Sequence, residues 1–125
     1  MPLISLHHVQ LAMPAQQENR ARRFYIDILG FEELPKPRML AARGGLWLTL
    51  GPINLHLGVE NDFRAARKAH PAFLAQDLDA IAARFSAADI VVAWDQDLPG
   101  FRRFYVDDPF DNRIEIMEQI NTAKP

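Results

Sequence analysis

Strand and helix signals run through this 125-residue chain twice in the same order, and each run opens on a histidine and ends in a strand carrying a second metal-capable side chain. The opening histidines are His8 and His70, and the closing residues are His56 and Glu115. His70 follows His8 by 62 positions and Glu115 follows His56 by 59, the near-constant offset that a duplicated module produces. The two runs share no obvious identity, so the repeat is read from element order and spacing. If the modules fold alike about a pseudo-two-fold axis, these four side chains meet at one site, and the set points to a divalent metal.

In the first run, Ile4 to Ala12 alternates as a half-buried strand, with Leu6, His8, Gln10 and Ala12 on one face and Ser5, His7, Val9 and Leu11 on the other. His7, turned away from His8, is expected to be structural. From Gln16 onward Ala21, Phe24, Tyr25, Ile28 and Leu29 form the apolar stripe of a helix, and Gly30 suits the left-handed position after it. Three strands should follow: Phe31 to Leu34 continuing past Pro35-Lys36-Pro37 to Ala42, then Leu46 to Leu50, then Ile53 to Val59. Gly44-Gly45 signals a hairpin and Gly51-Pro52 the next turn. The order is β-α-β-β-β.

Glu60 to Ala69 is charged and Ala-rich and reads as a linker with one helical turn. The pattern then restarts. His70 to Gln76 is a strand, Asp77 can cap a helix with stripe Leu78, Ile81, Ala82 and Phe85, and Ile90 to Trp94, Phe101 to Asp107 and Arg113 to Glu118 supply three strands. The expected organisation is one domain, 1–125, with module 1 at about 3–60, a linker at about 61–69, module 2 at about 70–119 and a frayed tail at 122–125.

Composition narrows the chemistry. No cysteine is present, so disulfides, thiolate nucleophiles and Cys-based metal sites are excluded and any metal must take nitrogen and oxygen ligands. A formal charge of −2 gives no broad attraction for phosphate backbones, and the basic clusters Arg20/Arg22/Arg23 and Arg64/Arg67/Lys68 sit among acids in helix-like segments. Nucleic acid is therefore not an expected partner. No apolar run approaches the roughly 20 residues of a membrane helix, and residues 1–6 do not resemble a secretory signal. A soluble cytoplasmic protein is the expectation.

Strand parity selects the candidate site face. Asn54, His56 and Gly58 share a face opposite Ile53, Leu55, Leu57 and Val59, while Arg113, Glu115 and Met117 lie opposite Ile114 and Ile116. Trp47 and Thr49 lie opposite the core-facing Leu46, Leu48 and Leu50, and Phe101, Arg103 and Tyr105 lie opposite Phe104 and Val106. Trp47, Asn54, Phe101, Arg103, Tyr105 and Arg113 are the candidate substrate-binding residues. Arg103 is singled out, because a guanidinium near a metal suits an anionic or oxygen-rich ligand.

Five stretches carry a family resemblance: His8-Val9-Gln10-Leu11, Phe24 to Phe31, His56 to Glu60, His70 to Phe73 with Asp77-Leu78-Asp79, and Phe104 to Glu115. Taken in order, they resemble the vicinal oxygen chelate proteins, the superfamily of glyoxalases, bleomycin-resistance proteins and extradiol dioxygenases. The resemblance implies an α+β fold of two βαβββ modules forming a curled mixed sheet, with a concave site and helices outside. In metal-binding members the ligands come from the first and last strand of each module, which here are His8, His56, His70 and Glu115. Asp111 and Asp89 stand where the family has glycine, and Asp tolerates the left-handed backbone better than most residues.

The ligand pattern departs from both well-known subsets. Glyoxalase I-like members have Glu where His56 stands, whereas dioxygenase-like and fosfomycin-resistance-like members use only the set matching His8, His70 and Glu115. His56 is thus a fourth ligand or a general base, with Glu115 the carboxylate at the reacting centre. The resemblance implies a divalent metal (Ni, Zn, Mn or Fe) chelating neighbouring oxygens of a small substrate in a lyase, isomerase or dioxygenase, and a homodimer. The alternative is a metal-free drug-binding protein of the bleomycin-resistance type.

Overall fold

Leucines at every second position of two neighbouring strands decide how the first half folds. The computed structural model describes residues 1–120; the expected tail at 122–125 lies outside the described residues. The chain divides into two compact units, Met1–Ala65 and a second beginning at Ala66, so the boundary falls inside the expected linker.

In the first unit the elements are β1 (Val9–Met13), α1 (Glu18–Arg22) running into a π-helical segment (Arg23–Ile28), β2 (Glu32–Leu34), α2 (Arg38–Ala41), β3 (Leu46–Leu50) and β4 (Ile53–Val59). The sheet order is β1-β4-β3-β2, with β1 parallel to β4 and the other pairs antiparallel. Leu11, Met13, Leu46, Leu48, Leu55 and Leu57 are buried from the sheet, and Ala21, Phe24 and Tyr25 from the helix. Each buried Leu, Met or Phe among them contributes about 1.5–3 kcal/mol. The helix widens because Leu29 N–H reaches the Phe24 carbonyl, five residues back, at 3.2 Å. Gly30 follows it at φ +90° as expected. Gly45, at φ +82°, lies so close to β4 that a Cβ there would meet the Leu57 carbonyl oxygen at 2.0 Å.

The second unit holds β5 (Ala72–Leu74), α3 (Leu78–Ala87), β6 (Ala93–Asp95), β7 (Phe101–Asp107) and β8 (Arg113–Gln119), in the matching order β5-β8-β7-β6 with β5 parallel to β8. Asp77 caps α3 by accepting from Ala80 N–H at 3.3 Å. Phe85 of α3 meets Phe104 of β7 edge to face at 6.1 Å, beside buried Leu78, Val106, Ile114 and Ile116. Asp89 and Asp111 take left-handed backbone at φ +60° and +69°, as the sequence predicts. The turn before β8 is built on buried Asp108, whose carboxylate accepts from Phe110 N–H and Asn112 N–H at 2.8 and 2.9 Å. The strand order repeats, with α2 an addition to the first unit, and the architecture is α+β.

Six expectations are corrected. The first strand starts at Val9, not Ile4: Leu3, Ile4 and Leu6 are exposed and bury nothing that would fix that stretch. Residues 38–41 form a helical turn, not strand, because Pro37 cannot donate and its carbonyl accepts from Leu40 and Ala41 N–H at 2.9 and 3.0 Å; Gly44-Gly45 consequently joins α2 to β3. The linker has no helical turn, since Ala66 is committed at N–H to the Asn112 side chain (2.9 Å) and at its carbonyl to Arg113 N–H (2.8 Å). The fourth concerns β5, which starts at Ala72, past Pro71. β6 starts at Ala93, because Ile90 N–H closes the end of α3 on the Phe85 carbonyl at 2.9 Å. Finally, Leu50 at the end of β3 is 38% exposed rather than core-facing.

Candidate functional site

His56 occupies the middle of the first sheet, paired to Gln10 of β1 on one side and Trp47 of β3 on the other. Its imidazole stacks on the Trp47 ring at 4.6 Å and 12°, and the His8 ring stacks on it at 4.1 Å and 16°. A Cβ at Gly58 would meet Gln10 Nε2 at 2.5 Å, so the bare backbone there leaves room for the Gln10 side chain on the same face. His7 is exposed rather than built into the core, and its Nδ1 lies 2.9 Å from His8 Nδ1. Burial, then repulsion from His8 and His7, lowers the His56 pKa. Neutral imidazole is the form the fold favours. Asn54 lies on the same strand face, opposite Thr49.

In the second unit, Glu115 is 5% exposed in β8, directly opposite Ala72 of β5 and Tyr105 of β7. His70, just ahead of β5, places Nδ1 at 3.0 Å from the Lys68 carbonyl and Nε2 at 2.9 Å from Glu115 Oε1. The carbonyl can only accept, so Nδ1 carries its hydrogen and Nε2 is the nitrogen turned to the carboxylate. The other carboxylate oxygen, Oε2, accepts from Arg103 Nη1 at 2.9 Å. Arg103 Nη2 reaches Asp95 Oδ1 at 3.4 Å, and its Nε is buried without a partner.

Charge in this cluster is largely cancelled. The Glu115 hydrogen bond, working against burial, raises the Arg103 pKa and keeps the guanidinium cationic. Asp95 is held below its ordinary value first by the Asp97 N–H and then by Arg103. Tyr105 lies edge to face with His70 at 5.6 Å, and the guanidinium carbons of Arg103 and Arg113 both lie over its ring, at 5.4 and 5.3 Å. Phe101, with Arg103, Trp94, Asp95 and Leu98, lines a cavity of about 450 Å³ in this unit.

Among the described residues no group of three or more His, Asp or Glu side chains stands close enough to hold a metal ion. The structure brings the four candidate ligands together as two pairs, His8 with His56 and His70 with Glu115. Sequence reasoning missed Asp95 as the second partner of Arg103. The signal was present in the register, since the two residues sit directly opposite in the β6–β7 pair.

The family model for the Glyoxalase/Bleomycin resistance protein/Dioxygenase superfamily matches residues 5–116. The chain belongs to that superfamily. A glyoxalase family protein from Bacillus anthracis is 43% identical to this superfamily member, with a TM-score of 0.91 over 94% of this chain and 97% of its own. The fosfomycin resistance protein FosX from Listeria monocytogenes shares the fold at 16% identity, TM-score 0.75, covering 94% of this chain and 95% of that one. A glyoxalase family protein from Enterococcus faecalis does so at 22% identity and TM-score 0.72, over 94% and 100% of the two chains. No curated protein sequence matches the chain. No helix among the described residues is long and apolar enough to cross a membrane.

Proposed function

We propose that this superfamily member is a metal-dependent lyase, isomerase or dioxygenase acting on a small oxygen-rich molecule. His8, His70 and Glu115 would hold the metal, and His56 would serve as fourth ligand or general base. The observation that carries the reading is the His70–Glu115 pair. With Nδ1–H spent on the Lys68 carbonyl, Nε2 and a carboxylate oxygen face each other at 2.9 Å. Two such donors are held together by a proton or by a cation, and a ligating histidine whose other nitrogen donates to a backbone carbonyl is the usual support of a bound metal. The donor set, imidazole nitrogen and carboxylate oxygen, fits Ni, Zn, Mn or Fe.

A bound divalent ion would supply Lewis acidity toward neighbouring substrate oxygens. The chain's own residues do the rest. Arg103 fixes the Glu115 rotamer by taking Oε2, which leaves Oε1 as the donor. Neutral His56 can accept a proton from a substrate carbon or water. Trp47 and Tyr105 hold the imidazoles of His56 and His70 by ring contact, and Asn54, Phe101 and Arg113 complete the proposed substrate surface. The reading requires His8 from the first unit of this chain or of a second copy; a cytoplasmic homodimer is part of it, and the exposed Leu3, Ile4 and Leu6 offer apolar surface to a second copy.

The test is metal content of untagged protein. One ion per proposed site is expected, lost in His70→Ala and Glu115→Gln; protein that neither carries nor takes up Ni, Zn, Mn or Fe rejects the reading. The 450 Å³ cavity beside Arg103 favours a second reading, a metal-free small-molecule binder of the bleomycin-resistance type. That reading requires a ligand that quenches tryptophan fluorescence equally with and without chelator, and turnover would exclude it.

A further inference from the structure

Two arginines face Tyr105, and their charges are in different states. Arg103 is spent on carboxylates, with Nη1 on Glu115 at 2.9 Å and Nη2 on Asp95 at 3.4 Å. Arg113 reaches no carboxylate among the described residues; its guanidinium rests on the Tyr105 ring at 5.3 Å. Its cross-strand neighbour is Asp107, the acid that would ordinarily neutralise it. Asp107 is instead taken by Arg67, Nη1 to Oδ1 at 2.7 Å, and the same nitrogen also donates to the Asp111 carbonyl at 2.8 Å. The acid beside Arg113 is therefore already compensated.

Position makes that free charge useful. Arg113 and Glu115 share one face of β8, two residues and about 7 Å apart along the strand, and Tyr105 lies directly opposite Glu115. Arg113 is half-buried, its guanidinium carbon lies over the Tyr105 ring, and its side-chain N–H groups meet no carboxylate among the described residues. A planar five-donor fork in that state is built to take an oxyanion.

We infer that Arg113 anchors an oxyanion, a carboxylate or phosphonate group, on the substrate of this site, and that Arg103, which sequence reasoning singles out for that role, does not. The inference rests on the functional reading above and narrows its substrate to an anionic molecule. One end meets Arg113 and the oxygen-bearing centre lies toward His70 and Glu115.

The experiment titrates the full chain, ¹⁵N-labelled at arginine, with methylphosphonate and separately with acetate, both zinc-loaded and with chelator, following the arginine Nε–H resonances. Saturable displacement of the Arg113 resonance by at least one of the two anions is expected. Arg113→Met, which keeps an apolar contact with Tyr105, should weaken that binding at least about tenfold, and Arg113→Lys should retain part of it. Binding that reports on Arg103 instead, survives Arg113→Met undiminished, or never saturates overturns the inference. Zinc uptake is measured on the same samples by calorimetry. Metal without anion binding sinks this inference alone, and anion binding at Arg113 without metal sinks the metal reading alone.

Discussion

Arg103 grips one oxygen of the Glu115 carboxylate, Nη1 to Oε2 at 2.9 Å, and thereby turns the other oxygen toward His70. The two side chains come from neighbouring strands, and both are mostly buried, the arginine 16% and the carboxylate 7% exposed. Arg103 thus positions a ligand, and its effect on metal binding is separable from any effect on substrate.

Replacing Arg103 by Met should lower divalent-metal affinity about 10–100-fold, the usual consequence of losing a partner that orients a ligand. Arg103→Lys should fall between, since an ammonium keeps the charge without the planar fork. Asp95→Asn should do less than either. Calorimetric metal titrations of the three variants check the order, and unchanged affinity in Arg103→Met would remove Arg103 from this role.

The lowered pKa of His56 makes the metal-free first unit sensitive to acid. The folded chain takes up this proton less readily than the unfolded chain. Stability from neutral His56 is therefore complete above the ordinary imidazole value of 6.5 and is lost as pH falls through His56's lower folded value. Urea unfolding in chelator should show the midpoint dropping between neutral pH and mild acid, with a shallower drop in His56→Asn. Proton NMR should place the His56 transition below the ordinary value; a transition at or above it contradicts the stacked, buried environment.

Gly45 and Gly51 separate steric from dihedral strain. Both have positive φ, +82° and +55°, but a Cβ at Gly45 meets the Leu57 carbonyl oxygen at 2.0 Å, while at Gly51 it meets nothing within 4 Å. Gly51→Ala should cost about 1 kcal/mol, and Gly45→Ala more than about 2 kcal/mol because the backbone of β4 must move. Denaturant midpoints give both values directly.

These cases show which parts of the molecule are local enough to read from sequence. Asp77 announced the start of α3 because its cap lies within its own turn, and Leu46, Leu48, Leu55 and Leu57 announced their strands because burial on one face enforces a period of two. His70 and Glu115 were legible as candidates from the repeated element order and spacing, and their direct contact is what the fold adds. Arg38–Ala41 was misread as strand because the proline carbonyl that starts the turn has no distinctive letter after it. The linker was misread because Ala66 is fixed by Asn112, 46 residues away. Charge compensation was hidden for the same reason: whether Arg103 or Arg113 is free depends on Asp95, Asp107 and Arg67, which only the folded chain brings within reach.

If His70 and Glu115 share a metal, anomalous diffraction from crystals soaked in zinc will locate it. One strong peak is expected within bonding distance of His70 Nε2 and Glu115 Oε1, completed by His8 from the same or a second chain. A structure in which zinc is absent from that pair while His70 and Glu115 keep their direct hydrogen bond would contradict it.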